Sequence, residues 1–559
     1  ALTATALSIS PAIAFPNWIR EGADQIIEKL TELNDNKIEA LLSRQQNKPG
    51  DRWDGGVINE YDIPNAHSTS GFLEVLGASY ASPFSRYYLS GSLVNPMDRA
   101  ISCLLNVQYS DGTIDLHTTN FHSTPDTAFI VNYLSPVYVI LNRLERPELE
   151  RLLSKISLFF QHAGKCFLVG GIHTPNHRWV VCSALARLYA FFPSQKYIDR
   201  MDDWLSEGID MDPDGQYTEK SVSIYSPVCN NMFLTIGRLL NRPELYDVVR
   251  KNLDMTLYYI QPGGEVLTDA SGRQDAARTG YVNRYYYAYR YFAIKDRNHV
   301  YSAVCKLIET QMPEKIAGQL PELLEDPVFK KELMSPTNIP DNYFKRFEHS
   351  GVFRIRRGST DISIIEKNPT FLSFMKGKAV MQSMRLAAAY FGSRGQFISE
   401  ESAFDGSSVV LSTFKKHGYF QPFPEEYRPD DGDWHKMPRG MRELSEAQTI
   451  LYKVTITESN GNLRIELQID GTDHIPVSCE MSFRAGGELS GVIEDTHAED
   501  SYFLESGMGE YRHGDDVITF GPGRASHKWA QMRGMLDKQE GNSVYITGYT
   551  PFKHVLELS

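Results

Sequence analysis

No stretch of about eighteen consecutive apolar residues occurs in the sequence, which excludes a membrane-spanning helix. Cysteine is scarce: there are 6 in 559 residues, at positions 103, 166, 182, 229, 305 and 479, and none forms a C-x-x-C pair. A disulfide framework or a zinc ribbon is therefore not expected, and buried free thiols are. Positive charge is in deficit, with 57 Lys and Arg against 70 Asp and Glu and a net charge of −13. That balance argues against nucleic acid and anionic membrane as partners. An acidic substrate stays open, because exposed charges are screened beyond about 10 Å and a local group of Arg and His can prevail.

What is present fits a folded protein, with 42% apolar and 23% charged residues. At this length more than one core is expected. The 30 tyrosines suit a sugar-binding cleft or a large core with polar edges. Residues 1–19 form an N-terminal segment whose Ala12-Ile13-Ala14 resembles the end of a secretory signal, so a secreted or periplasmic protein is expected.

From residue 20 to 310 apolar residues recur at three- and four-residue steps, as in 23–33, 97–107, 127–144, 178–192 and 232–240, which predicts helices. Residues 311–345 carry prolines at 313, 321, 327, 336 and 340 and are expected to be a linker. Beyond it, from 346 to 559, the period changes to two: Leu463, Ile465, Leu467 and Ile469 alternate with polar residues. This run follows Leu451–Thr457 through Asn460-Gly461, a dipeptide suited to a tight hairpin. The fold class expected is α+β and multidomain: an N-terminal (α/α) toroid followed by a C-terminal antiparallel β-sandwich.

The helical half repeats about every fifty residues. Glycine-bearing turns are expected at Gly112, Gly164, Gly215 and Gly263. Thr124-Pro125-Asp126 aligns with Thr174-Pro175-Asn176, each pairing a capping Thr with a Pro suited to the first helical position. A period near fifty holds two helices and two loops, and stacked pairs of that kind form solenoids or rings. In a ring the inner helices begin on one rim, where function is expected.

Three starts on that rim carry chemistry: Asn120 to Asp126, His173 to Trp179, and Tyr217 to Tyr225. β-Elimination from a 4-linked uronate needs a group that neutralises the carboxylate, a base for the C5 proton and an acid for the departing O4. Asn176, His177, Arg178 and Tyr225 are residues of these types in two successive repeats, and donors at helix N-termini favour anions.

Asn176-His177-Arg178-Trp179, followed by Asp214-Gly215, Glu219-Lys220-Ser221 and Tyr225, resembles the α/α-toroid polysaccharide lyases. The toroid-then-sandwich order resembles the heparinase II/III-like and alginate-lyase-like members, as does the tract Asp433-Trp434 with Pro438-Arg439-Gly440. Most similar in overall look are the Bacteroides-type lyases of polysaccharide lyase family 27, which remove rhamnose from glucuronic acid on arabinogalactan proteins. The resemblance implies that Asn176 neutralises the carboxylate, that His177 is a base or positions a proton, and that Tyr225 is the acid. In glucuronate the C5 hydrogen and O4 lie on one side, so one tyrosine can serve both steps. Arg178 is expected to bind carboxylate through its guanidinium fork. His122 and Asn120 are expected to bind sugar hydroxyls, Tyr217 is a competing acid, and Arg273, Arg278 and Arg284 are expected at an anionic subsite. His67, after the loop 51–56, is a further candidate for the cleft. Such lyases usually carry a second His at the start of the β domain. The matching stretch here, Lys376 to Gln382, has none, which puts a metal site there in doubt. No cofactor is expected; a structural ion is left open.

Two rival readings remain at this stage. A toroid glycoside hydrolase would need two carboxylates about 5–9.5 Å apart, with Asp126, Asp212, Glu219 and Asp269 as candidates. A non-catalytic carbohydrate-binding protein would use the same rim without turnover.

Overall fold

The structure, a computed structural model, describes residues 22–559. The possible cleavage site at Ala12-Ile13-Ala14 lies outside them. The chain divides into two compact units. One holds the residues up to 209 together with 227–250 and 283–337; the other holds 210–226, 251–282 and 338–559.

The first unit is helical. Its elements begin with α1 (Gly22–Asp35) and α2 (Ile38–Ser43), followed by α3 (Ala66–Ala81), α4 (Val94–Val107), α5 (Thr124–Asn142), α6 (Glu150–Val169), α7 (Pro175–Phe191) and α8 (Gln195–Ser206). Then come α9 (Tyr225–Leu240) and α10 (Glu244–Leu257), of which 225–226 and 251–257 are counted with the second unit, and α11 (Tyr286–Lys295), α12 (His299–Gln311) and α13 (Leu320–Glu325). Two ranks alternate. Helices α5, α7 and α11 are buried nearly all round, whereas α8 buries only Met201 fully. The outer members are amphipathic and show one stripe to the core; the inner ones are covered on every side. This is the helix-pair repeat expected from the sequence, with inner helices starting at 66, 124, 175, 225 and 286. Helix α7 lies between α5 and α9: Asn132 donates to the Val180 carbonyl, and the Trp179 and Phe233 rings sit 4.6 Å apart.

Some repeat landmarks move. Gly112 and Gly215 do turn the chain, at φ +90° and +103°, and each lies against a following outer helix. A Cβ on Gly112 would meet the His162 carbonyl oxygen at 2.1 Å. Gly164 is not a turn; it lies inside α6, where its bare backbone admits the Tyr197 ring. One cap slips by one residue and the other lacks its side-chain bond. Ser123, not Thr124, caps α5, accepting from the Asp126 N–H, while Thr174 precedes α7 without a side-chain cap bond.

The segment 311–345 does more than link. It contains α13 and short 3₁₀ turns whose Ile316, Leu320, Leu323 and Phe329 are buried. Its prolines sit at or near the starts of these turns, where a missing N–H costs nothing. Glu325 receives Arg187 and Arg238, and its carbonyl receives Arg143, so one short helix gathers the C-terminal ends of α5, α7 and α9.

The second unit carries two large sheets of nine and eight strands. Buried Met381, Leu386 and Val477 of the nine-stranded sheet form one core with Val409, Tyr452, Leu467 and Leu556 of the other. The pairing is antiparallel apart from Ser501–Phe503 on Asn542–Tyr549. The expected hairpin joins Leu444–Ser459 to Asn462–Gly471, with Asn460 at φ +49° and Gly461 at +87°. The nine-stranded sheet starts at Asn342–Phe347. All six cysteines are buried.

Candidate active site

Helices α3, α5 and α7 present their N-terminal turns to one another in the helical unit. Asn65 caps α3 by accepting from the His67 and Ser68 N–H groups, which places His67 one residue into the helix. Its Nε2 meets the Asp126 carboxylate of α5 at 3.2 Å. The other Asp126 oxygen accepts from Asn120 Nδ2 at 2.8 Å and Ser123 Oγ at 2.6 Å. Burial would raise the Asp126 carboxyl, but the hydrogen bonds from His67, Ser123 and Asn120 outweigh it and hold the group below its ordinary value.

The contacts continue sideways. The His67 ring lies 6.3 Å from both Phe129 and Tyr133, and Phe129 meets His177 edge-on at 6.2 Å. His177 in turn lies 4.6 Å from His173. Asn176 is 1% exposed and donates to Thr174 Oγ1; His177 is 9% exposed. Deeper along α3 and α5, burial and the neighbouring Glu322 carboxylate push the Glu74 carboxyl far up, and burial raises Glu322 as well. Two carboxyls so coupled share protons as a pair.

The other candidates divide. Arg178 pairs with Glu207 at 2.8 Å and stacks over Trp179, so its fork is already held within the protein. His122 stacks on Tyr109, bonds Asp111 and Thr113, and closes its own turn at φ +47°. Asn120 serves Asp126. Tyr217 is 1% exposed and lies beside the Gly215 turn, bridged to Met211. Tyr225 opens α9, its N–H bonded to Ser221 Oγ and its ring under the Arg273 guanidinium at 5.2 Å. The loop before it is pinned by buried Asp275, which receives Ser221, Ser223 and Ser271. Arg278 lines a cavity of about 50 Å³ in the second unit with Asp269, Gln382 and Arg484. Burial pushes the Asp269 carboxyl up to about 6, against the pull of Arg484.

Neither a protein-family model nor a curated protein sequence matches the chain. Solved structures do. The chondroitin AC lyase of Streptomyces coelicolor A3, in complex with chondroitin sulphate, is similar over 98% of this chain and 80% of its own, at 12% identity and a TM-score of 0.57. Heparinase III is similar over 99% and 85%, at 11% identity and a TM-score of 0.54. A mutant of the heparan sulfate lyase HepC from Pedobacter heparinus matches over 98% and 84%, at 9% identity and a TM-score of 0.51.

The fold is the one these lyases have. Asn176 and His177 stand in the first turn of α7, and Tyr225 opens α9. The sequence reading passed over the pairing of His67 with Asp126. Its signal was there: Asn65-Ala66-His67 is an Asn cap followed by His at the head of the apolar run Phe72, Leu73 and Leu76. Among the described residues no cluster of three His, Cys, Asp or Glu could hold a metal ion, and no helix is long and apolar enough to cross a membrane.

Proposed function

We propose that the chain is a polysaccharide lyase that cleaves a 4-linked uronic acid glycoside by β-elimination, and that it removes rhamnose from glucuronate in arabinogalactan-type glycans. The observation that carries the reading is the set of helix starts at which His177, next to Asn176 in the chain, meets Phe129, and Phe129 lies beside the ring of the His67–Asp126 pair. In this reading Asn176 neutralises the uronate carboxylate and the Tyr225 hydroxyl protonates O4. The positive end of α7 adds to the stabilisation of the charge that grows on the carboxylate as C5 loses its proton. Acidic polysaccharide is the substrate class that supports this: the Streptomyces relative was solved with chondroitin sulphate bound.

The hydrolase reading loses support at Asp126. A glycosidase acid needs a raised carboxyl, whereas Asp126 is held low and tied to three donors. The test is ultraviolet absorbance during incubation with uronate polymers, arabinogalactan protein among them. A rising signal from a conjugated C4–C5 double bond is expected, and the responding polymer names the substrate. Sugar release without that absorbance would overturn the lyase reading.

A further inference from the structure

The buried setting of His177 leaves open which group takes the C5 proton. His177 is packed between Phe129 and His173, with 9% of its surface exposed. On the neighbouring helix start His67 is a quarter exposed, its side chain at 26%. We propose that His67, oriented by Asp126, is the base that removes the C5 proton; this rests on the lyase reading above.

The Asp126 carboxylate can only accept, so His67 Nε2 carries the hydrogen that bridges the 3.2 Å between them. The lone pair then lies on Nδ1, the nitrogen that can take a proton. No described residue bonds Nδ1. Asp126 cannot swing away, because Asn120 and Ser123 hold its other oxygen and its own N–H is bonded to Ser123 Oγ. Phe129 and Tyr133 flank the ring and limit its rotation. A positioned imidazole backed by a fixed carboxylate is the arrangement that general-base chemistry uses to hold one tautomer and to stabilise the cation that forms. Other charged or titratable groups near the ring are the Tyr133 phenol on α5 and, one to two turns further along α3, Glu74.

In the step itself, Nδ1 takes the proton from C5, and the electron pair of that bond becomes the C4–C5 double bond. The C4–O4 bond breaks with its pair going to O4, which takes a proton from the acid, for which Tyr225 is the candidate. The imidazolium then returns its proton to solvent.

Two measurements test the proposal, one of them independent of substrate. Diethylpyrocarbonate modification of the full chain, followed residue by residue by mass spectrometry, is expected to acylate His67 several-fold faster than His177. Modification of His177 with His67 spared overturns the assignment whatever the substrate is. On the polymer that gives the absorbance signal, His67→Ala is expected to lower kcat about 10²–10⁴-fold with little change in KM, and added imidazole to restore part of the rate. His67→Gln, which keeps the size and polarity of the side chain, should be equally slow, and Asp126→Asn should lower kcat without imidazole rescue. Wild-type-like kcat in His67→Gln overturns the proposal and leaves the lyase reading intact. Absence of a double-bond signal with every polymer strikes at the lyase reading instead.

Discussion

Replacing Glu325 by alanine should destabilise the helical unit far more than the loss of one surface carboxylate would. Glu325 is 2% exposed, and its two oxygens receive Arg187 and Arg238, whose side chains are 4% and 16% exposed. Removing the carboxylate leaves buried Arg187 without its ion-pair partner, while Arg238 keeps Asp326 at 3.2 Å. Breaking a buried ion pair from one side costs about 3–5 kcal/mol. At roughly 2–4 °C per kcal/mol for a domain of this order, the melting temperature should fall by about 6–20 °C. The sign with pH is also fixed. Burial would raise the Glu325 carboxyl, but Arg187 and Arg238 more than offset it, so the folded-state value lies below the ordinary one. The carboxylate's contribution is therefore fully present above about pH 4.3 and is lost as pH falls through the lower folded value. Calorimetric melts of wild type and Glu325→Ala at pH 7 and pH 3.5 would show a gap that narrows in acid. Joint replacement of Arg187 and Glu325 by apolar residues should cost less than Glu325→Ala alone, since the uncompensated charge goes with them. A melt for Glu325→Ala within a degree of wild type, or a gap unchanged in acid, would refute the reasoning.

Asp269 behaves with the opposite sign. Its carboxyl is raised by burial to about 6, so ionising it opposes folding, and stability is lost as pH rises from about 4 to 6. A two-unit rise corresponds to about 3 kcal/mol at most; Asp269→Asn should out-melt wild type above pH 6, and the two should converge near pH 4. Gly112→Ala puts a side chain at φ +90° and a Cβ 2.1 Å from the His162 carbonyl oxygen. It should cost at least about 1–3 kcal/mol, read as an urea midpoint shifted down at constant slope. Tyr225→Phe, which keeps the ring under Arg273 but removes the hydroxyl, should slow turnover about 10²–10⁴-fold at unchanged melting temperature.

The parts of this architecture that repeat locally were legible in the sequence. Apolar spacing located four of the five helices to within about three residues and missed the first two turns of α9, and Asn460-Gly461 located its hairpin, because both signals arise from neighbours in the chain. Gly164 misled because a glycine reads alike whether it turns the backbone or makes room for a ring, here that of Tyr197. Residue type reveals neither partner nor burial: Arg178 pairs with Glu207, and Tyr217 is almost fully buried. The proline-rich segment 311–345 read as a linker since Glu325 meets Arg187 from 138 residues away, a pairing that leaves no local trace. Of the candidate site, Asn176, His177 and Tyr225 are named from the repeat and His67 from the loop before it, whereas the pairing of His67 with Asp126, 59 residues distant, cannot be read from neighbours in the chain.

The way the chain is shared between its two units bears on how the protein can be dissected. The backbone passes from one unit to the other at 209/210, 226/227, 250/251, 282/283 and 337/338. A single cut anywhere along it cannot yield two intact pieces, since residues 210–226 and 251–282 are made before most of the unit they belong to exists. A ribosome that has released the first 337 residues has completed the helical unit but only two short stretches of the other. Truncations meant to isolate a helical fragment will carry those two stretches as orphans, and the soluble fragments a protease leaves should reflect the five crossings rather than one hinge.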